Sequence, residues 1–245
     1  MSLLLRTQSH NPLILKIRIA ISVTLLLSGY TFSVHDAAAC DESKHHYTYG
    51  YTYDIRNANG NGAQAAWEEQ DYEVADYTKG ADRFAASVMW VLMSTAPLDW
   101  VEVGFMRSQW CPGNCFYRTR GKDGLVTHLD KVSKAPKGAH NWHVYRLIYS
   151  SSTGAWHTYI DGTHYGGYSH KSTGEVIEIG NEVTSNCTIV HITYFGSPST
   201  SSSYAFQYRT GNGVWTTWGS GNVVTNPPYR HEWLTYAIYQ RTWGP

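Results

Sequence analysis

The stretch Asp99-Trp-Val-Glu-Val-Gly-Phe105 alternates with a period of two. In an extended strand, successive side chains point to opposite faces, so Val101, Val103 and Phe105 share one face and Trp100, Glu102 and Gly104 the other. The first is a core face. The second sets a carboxylate between a large aromatic and a residue with no side chain. The pattern returns in Val176-Ile-Glu-Ile-Gly-Asn-Glu-Val183, where Ile177, Ile179 and Val183 take one face and Glu178, Gly180 and Glu182 the other. Two strands each offer a glutamate beside a glycine on the non-core face.

The chain around these stretches reads as more strands. Ser87-Val-Met-Trp-Val-Leu-Met-Ser94 is apolar on both faces, the mark of a buried central strand, and stops at Thr95-Ala-Pro97. Trp142–Ser150 alternates, Ser151-Ser-Thr-Gly154 turns, and Ala155–Ile160 returns to Asp161-Gly162, a hairpin. Gly62–Trp67, Asp71–Thr78, Cys115–Thr119, Leu125–Val132, Thr188–Phe195, Tyr204–Arg209 and Val214–Trp218 read as further strands. Tyr165-Gly-Gly-Tyr168 reads as a tight aromatic-glycine segment and Ala135–Gly138 as a loop. The tail from Asn226 reads as irregular, with one last strand over Trp233–Tyr239. No segment carries a 3.6-residue apolar period. Short strands punctuated by turn signals about every ten residues predict one all-β domain, an antiparallel sandwich of jelly-roll type over 62–245. The His/Tyr-rich residues before it form an N-terminal segment, 40–61.

Composition agrees with a β-fold. Charged residues are sparse at 16%, aromatics reach 14%, and there are ten Trp and nineteen Tyr, which favours aromatic β-packing over salt-bridged helices. Aromatics beyond what a core needs suggest a groove lined for sugars or peptides. Lys plus Arg equals Asp plus Glu at 19 each, so overall charge argues for neither nucleic acid nor an anionic membrane.

Lys16 and Arg18 precede an apolar run, Ile19–Gly29, which is shorter than the about twenty residues a membrane span needs, and Ala37-Ala-Ala39 follows. This is the layout of a secretory signal peptide over 1–39, which predicts an extracellular protein with no membrane segment after cleavage. A retained anchor is the alternative. Cys40 would be the new N-terminus, which leaves lipidation open, although Tyr30–Asp36 separates it from the apolar run and no Leu stands three residues before it. The four cysteines of an exported chain predict disulfides. Cys111 and Cys115 bracket Pro-Gly-Asn and would close a small loop, leaving Cys40 and Cys187 to pair with each other. A four-cysteine zinc site lacks its second close pair. The twelve histidines are scattered and no cofactor motif is present, so neither metal nor cofactor is expected. Asn186-Cys-Thr188 is formally a glycosylation sequon.

Trp156-His-Thr-Tyr-Ile-Asp-Gly162 resembles a strand and turn of concanavalin-like and laminin-G-like sandwiches. A second resemblance runs from Gly62 to Ser185, to the neprosin-type glutamic peptidases. Gly62-Ala-Gln-Ala65 is similar to their Gly-Ala-Ser-Ala, Met89-Trp-Val91 to Ile-Trp-Val, and Val101-Glu-Val-Gly-Phe105 to Ile-Glu-Ala-Gly-Trp. Phe116-Tyr-Arg-Thr119 resembles Phe-x-Tyr-Trp-Thr, Gly167-Tyr168 the start of Gly-Tyr-Trp-Pro, and Glu178-Ile-Gly-Asn-Glu-Val183 their Glu-Trp-Gly-Gly-Glu-Val. The Trp-Pro after Tyr168 is missing, and Asn181 replaces a glycine. The resemblance implies a secreted β-sandwich endopeptidase whose catalytic glutamates are Glu102 and Glu182.

Two carboxylates sharing a water cannot both ionise easily, so the pair keeps one proton. The ionised member would act as general base on water, and the protonated member would polarise the scissile carbonyl and donate to the leaving amine. The sequence does not say which glutamate does which. An acidic optimum follows. Gly104 and Gly180 would leave room for a substrate backbone, with Trp100 and Tyr117 lining the groove. The simplest alternative makes Glu102 and Glu182 solvated, outward residues of two strands. A glycosidase also needs two carboxylates, but the Glu-x-Asp-x-Glu strand of sandwich endoglucanases has Gly180 at its middle position here. A non-catalytic lectin-like module, stacking Trp and Tyr on a glycan, is the remaining alternative.

Overall fold

The computed structural model describes residues 46–55, 60–69, 72, 74, 83–111, 113–134, 141–170, 172–184, 190–197, 205–219, 222–235 and 239–244. The chain divides into compact units Met1–Ala38 and Ala39–Pro245, and every described residue belongs to the second. The leader 1–39, Cys40, the sequon with Cys187 and the loop 135–138 lie outside the described residues. So does the strand expected over 71–78, except for Tyr72 and Val74.

The described elements are all strands. They begin with β1 (His46–Asp54), β2 (Gly62–Glu68), β3 (Phe84–Thr95), β4 (Leu98–Ser108), β5 (Cys115–Lys122) and β6 (Leu125–Lys134). Next come β7 (Trp142–Ser150), β8 (Ala155–Ile160), β9 (Thr163–Ser169), β10 (Val176–Val183) and β11 (Val190–Gly196). The chain ends with β12 (Gln207–Arg209), β13 (Trp215–Thr217), β14 (Asn222–Thr225), β15 (Arg230–Thr235) and β16 (Tyr239–Gly244). One seven-stranded sheet runs β14-β1-β10-β3-β4-β5-β6, and a nine-stranded sheet contains β15-β16-β11-β2-β7-β8-β9 with β12 and β13 alongside β2. Every pairing is antiparallel, giving an all-β sandwich.

Three sequence readings change. The segment 40–61 does not precede the sandwich but contributes β1, which sits between β14 and β10. Tyr165-Gly-Gly-Tyr168 is the middle of β9 rather than a tight segment. The tail from Asn226 forms two paired strands, β15 and β16, rather than one strand over Trp233–Tyr239, and β14 precedes it. The inward positions of β16 are Gln240, Thr242 and Gly244, so the strand shows no apolar alternation.

Between the sheets, Ala85, Met89, Val101, Val103, Phe105, Ile177 and Ile179 meet Ala63, Trp67, Tyr145, Leu147, Trp156 and Phe195. The Trp67 indole stacks on the Tyr145 ring with centroids 3.6 Å apart, and Phe116 crosses from the other sheet to meet Tyr145 edge-on. Truncating such a buried aromatic to Ala costs about 3–5 kcal/mol. Beside Phe116, His143 lies between two carboxylates: Nδ1 is 2.5 Å from Asp161 Oδ2 and Nε2 3.1 Å from Glu69 Oε1. Asp161 and Gly162 both have positive φ, 51° and 80°, the backbone a two-residue hairpin turn of primed type requires.

A polar link also crosses the core. Asn181 Nδ2 donates to Thr242 Oγ1 at 2.5 Å, and Ser87 Oγ donates to Asn181 Oδ1 at 2.8 Å. Tyr72 Oη bonds to Ser87 Oγ as well. The residue that departs from the glutamic-peptidase pattern at position 181 therefore points inward, away from Glu182. It ties β10 to β16 through groups that are all satisfied, as buried polar groups must be.

Candidate active site

The outward face of the seven-stranded sheet is not a solvated face. A second apolar cluster covers it, with Ala86, Val88, Trp90, Leu92, Met106, Cys115, Tyr117 and Val176, and with Phe84, Leu98 and Trp100 packed against them. Glu102, Glu178 and Glu182 are 7%, 8% and 8% exposed. The alternative in which these glutamates are solvated strand residues is overturned. Period-two reading found the face correctly, but a face opposite the core need not be wet.

Strand register orders this face into three rows. The first crosses β10, β3, β4 and β5 as Glu178, Trp90, Glu102 and Thr119. The second is Gly180, Val88, Gly104 and Tyr117; the third is Glu182, Ala86, Met106 and Cys115. Glu102 and Glu182 thus lie on opposite sides of a row that holds both glycines. They interact electrostatically across it.

The glycines do different work from that expected. A Cβ on Gly104 would stand 2.4 Å from Ser87 O and 3.0 Å from the Tyr117 ring. The space above Gly104 is already filled, because Tyr117 lies across it. Gly121 is in register with Trp100, and a Cβ there would fall 2.1 Å from the indole. Trp100 folds onto that bare backbone, and its Nε1–H donates to Glu102 Oε2 at 3.0 Å. Gly180 is buried in the same row.

These neighbours set the proton affinity of Glu102. Burial, and second the negative charge of Glu182, push its carboxyl up from 4.5 to about 7. Hydrogen bonding from Tyr117, Trp100 and Trp90 works the other way without cancelling the rise. Burial and the neighbouring carboxylate thus favour the protonated form of Glu102. The Tyr117 hydroxyl is buried and held neutral far above its ordinary range, first by desolvation and then by the Glu102 charge. It faces Glu102, while the buried Thr119 hydroxyl beside it has no partner. A buried hydroxyl without a partner next to a carboxylate pair is unusual, since such groups normally find one. It suits a bound water or an incoming polar group.

The structure brings Glu102, Glu182, Trp100, Gly104, Gly180 and Tyr117 onto one face. Trp90 and Thr119 escaped the sequence reading; only the pairing register, which sets them on the Glu102 row, reveals them. Cys111 and Cys115 form the expected disulfide at the end of the Met106–Cys115 row, with an S–S distance of 2.04 Å. Among the described residues no group of three or more His, Cys, Asp or Glu side chains could hold a metal.

Neither a family model nor a curated protein matches this sequence. Solved structures do. Scytalido-glutamic peptidase with a transition-state analogue inhibitor superposes with a TM-score of 0.55 over 82% of this chain and 100% of its own, at 7% identity. A second complex of that peptidase, with a peptide-based transition-state analogue, gives 0.50 with the same coverage and identity. A galectin from Caenorhabditis elegans gives 0.34 over 58% of this chain and 91% of its own, at 16% identity. The fold is the β-sandwich of the glutamic peptidase.

Proposed function

We propose that this protein is a secreted glutamic endopeptidase of neprosin type. The observation that carries the reading is the carboxyl pair flanking the glycine row, with Glu102 held protonated towards neutral pH by burial and by the Glu182 charge. The glutamic-peptidase fold supports the same reading.

In the proposed reaction, Glu182 takes a proton from water as the water oxygen attacks the scissile carbonyl carbon. Glu102 donates a hydrogen bond to the carbonyl oxygen as negative charge develops there, and the neutral Tyr117 hydroxyl adds a second donor. A proton then passes from the pair to the amide nitrogen. The C–N bond breaks, leaving a carboxylic acid and a free amine with one proton still on the pair, and the acid's proton passes to the amine on release, giving carboxylate and ammonium. No metal is needed to balance these steps.

The test is proteolysis of a denatured protein from pH 3 to 8, with Glu102→Gln and Glu182→Gln alongside. Cleavage below neutral pH, abolished in both folded variants, is the expected result. Cleavage unchanged in the variants, or none at any pH, would remove the catalytic reading; a glycan array would then test the lectin-like alternative.

A further inference from the structure

On the opposite side of the sandwich, two histidines meet. His157 Nδ1 and His164 Nε2 are 3.0 Å apart, their rings tilted at 45° with centroids 5.1 Å apart. His157 is on β8 and His164 on β9, the edge strand of the nine-stranded sheet. Both are on the outer face, His164 being exposed and His157 half-buried.

Three local features assemble this pair. First, the β8–β9 ladder slips by one residue between His157 and Tyr159, so His157 is paired with Gly167 and Tyr159 with His164. Gly166, at φ 95°, takes up the bulge on β9. Bulges of this kind re-aim side chains. Second, Gly167 leaves the space beside His157 clear: a Cβ there would sit 3.0 Å from Nδ1. Third, the far nitrogen of His157 is committed. Thr153 Oγ1 lies 2.9 Å from Nε2 of His157 and 3.4 Å from Ser150 O. With its own proton on Ser150 O, Thr153 accepts Nε2–H and leaves Nδ1 of His157 bare towards His164, the tautomer a metal ligand needs.

We propose that His157 and His164 form a two-histidine site for a divalent transition-metal ion, with Zn2+ as the probe ion. Imidazole nitrogens bind such ions at about 2.0–2.1 Å, which in a tetrahedral site separates two ligand nitrogens by about 3.3 Å. The observed 3.0 Å needs only a few tenths of an ångström of opening. His164 supplies Nε2 once its proton moves to Nδ1, and water completes the coordination. Thr153 acts on the ligand as an outer partner does in established metal sites, setting tautomer and ring orientation. The site shares no residue with the glutamate face.

Calorimetric titration of the full chain with Zn2+ at neutral pH tests the site, with the remaining histidines as a common background. The wild type should bind one more equivalent than His164→Gln, a substitution at an exposed position. Gly167→Ala, which crowds Nδ1, and Thr153→Ala, which frees the tautomer, should each weaken that equivalent about tenfold or more. Proteolysis should be unchanged in His164→Gln. Equal stoichiometry and affinity in the wild type and His164→Gln would overturn the proposal, as would a site insensitive to both Gly167→Ala and Thr153→Ala.

Discussion

Replacing Glu102 by Gln keeps the shape of the side chain and removes its proton chemistry, so the variant should report how strongly the fold resists ionising this carboxyl. In the native chain Glu102 binds its proton more tightly than in the unfolded chain, 4.5 having risen to about 7. Below pH 4.5 both states are protonated and the group contributes nothing to the pH dependence. Between 4.5 and 7 the unfolded chain releases the proton while the native chain keeps it, so stability falls as pH rises. Above 7 the loss is complete. At about 1.4 kcal/mol for each tenfold change in proton affinity, the rise is worth about 3 kcal/mol. Glu102→Gln should match the wild type near pH 4 and exceed it by about 3 kcal/mol at pH 8, or roughly 6–12 °C in Tm for a domain of this size. Urea denaturation of both proteins from pH 4 to 8 measures the gap. Glu182→Gln, which removes the second cause of the shift, should show a shallower fall with pH than the wild type. A gap between Glu102→Gln and the wild type that does not change from pH 4 to 8 would refute the burial-and-charge account of Glu102, whatever the activity data say.

Other perturbations follow from the same geometry. Trp100→Phe deletes the Nε1–H that stabilises ionised Glu102, so the alkaline limb of the pH–rate profile should move upward; a profile unmoved would mean that bond does not reach the catalytic proton. Gly104→Ala forces a methyl against the Ser87 carbonyl and the Tyr117 ring, and should destabilise the fold by about 3 kcal/mol, the upper end for overpacking, by denaturant titration, since backbone oxygen cannot swing aside. At His143, burial lowers the proton affinity but Glu69 and Asp161 outweigh it, so the net shift is upward. Its charged clamp should stabilise fully below pH 6.5 and fade as pH rises through the raised value. His143→Gln should therefore be more damaging at pH 6 than at pH 9.

Much of this protein is legible in its sequence because a strand has a period of two. That periodicity alone separates Val101, Val103 and Phe105 from Trp100, Glu102 and Gly104, and it delivers the hairpin of β7 and β8 to the residue. It fails where inward positions are polar. Gln240 and Thr242 are buried but joined to Ile179 O and Asn181 by hydrogen bonds, so β16 carries no apolar signature. Nor does it tell wet from dry. Glu102 and Glu182 were visible as non-core residues, but their burial comes from Trp90, Leu92, Trp100 and Tyr117, contributed by three strands. Which glutamate keeps the proton depends on desolvation and on a charge across the sheet, quantities that exist only once the strands are in register. The sequence by itself determined the alternation, the turns and the residue types available for chemistry, because these are local. Register, the second apolar layer, the placing of the Tyr117 and Thr119 hydroxyls beside Glu102 and the meeting of His157 with His164 were decided by tertiary structure. They depend on which strands lie side by side, and on a single-residue slip that no local pattern encodes.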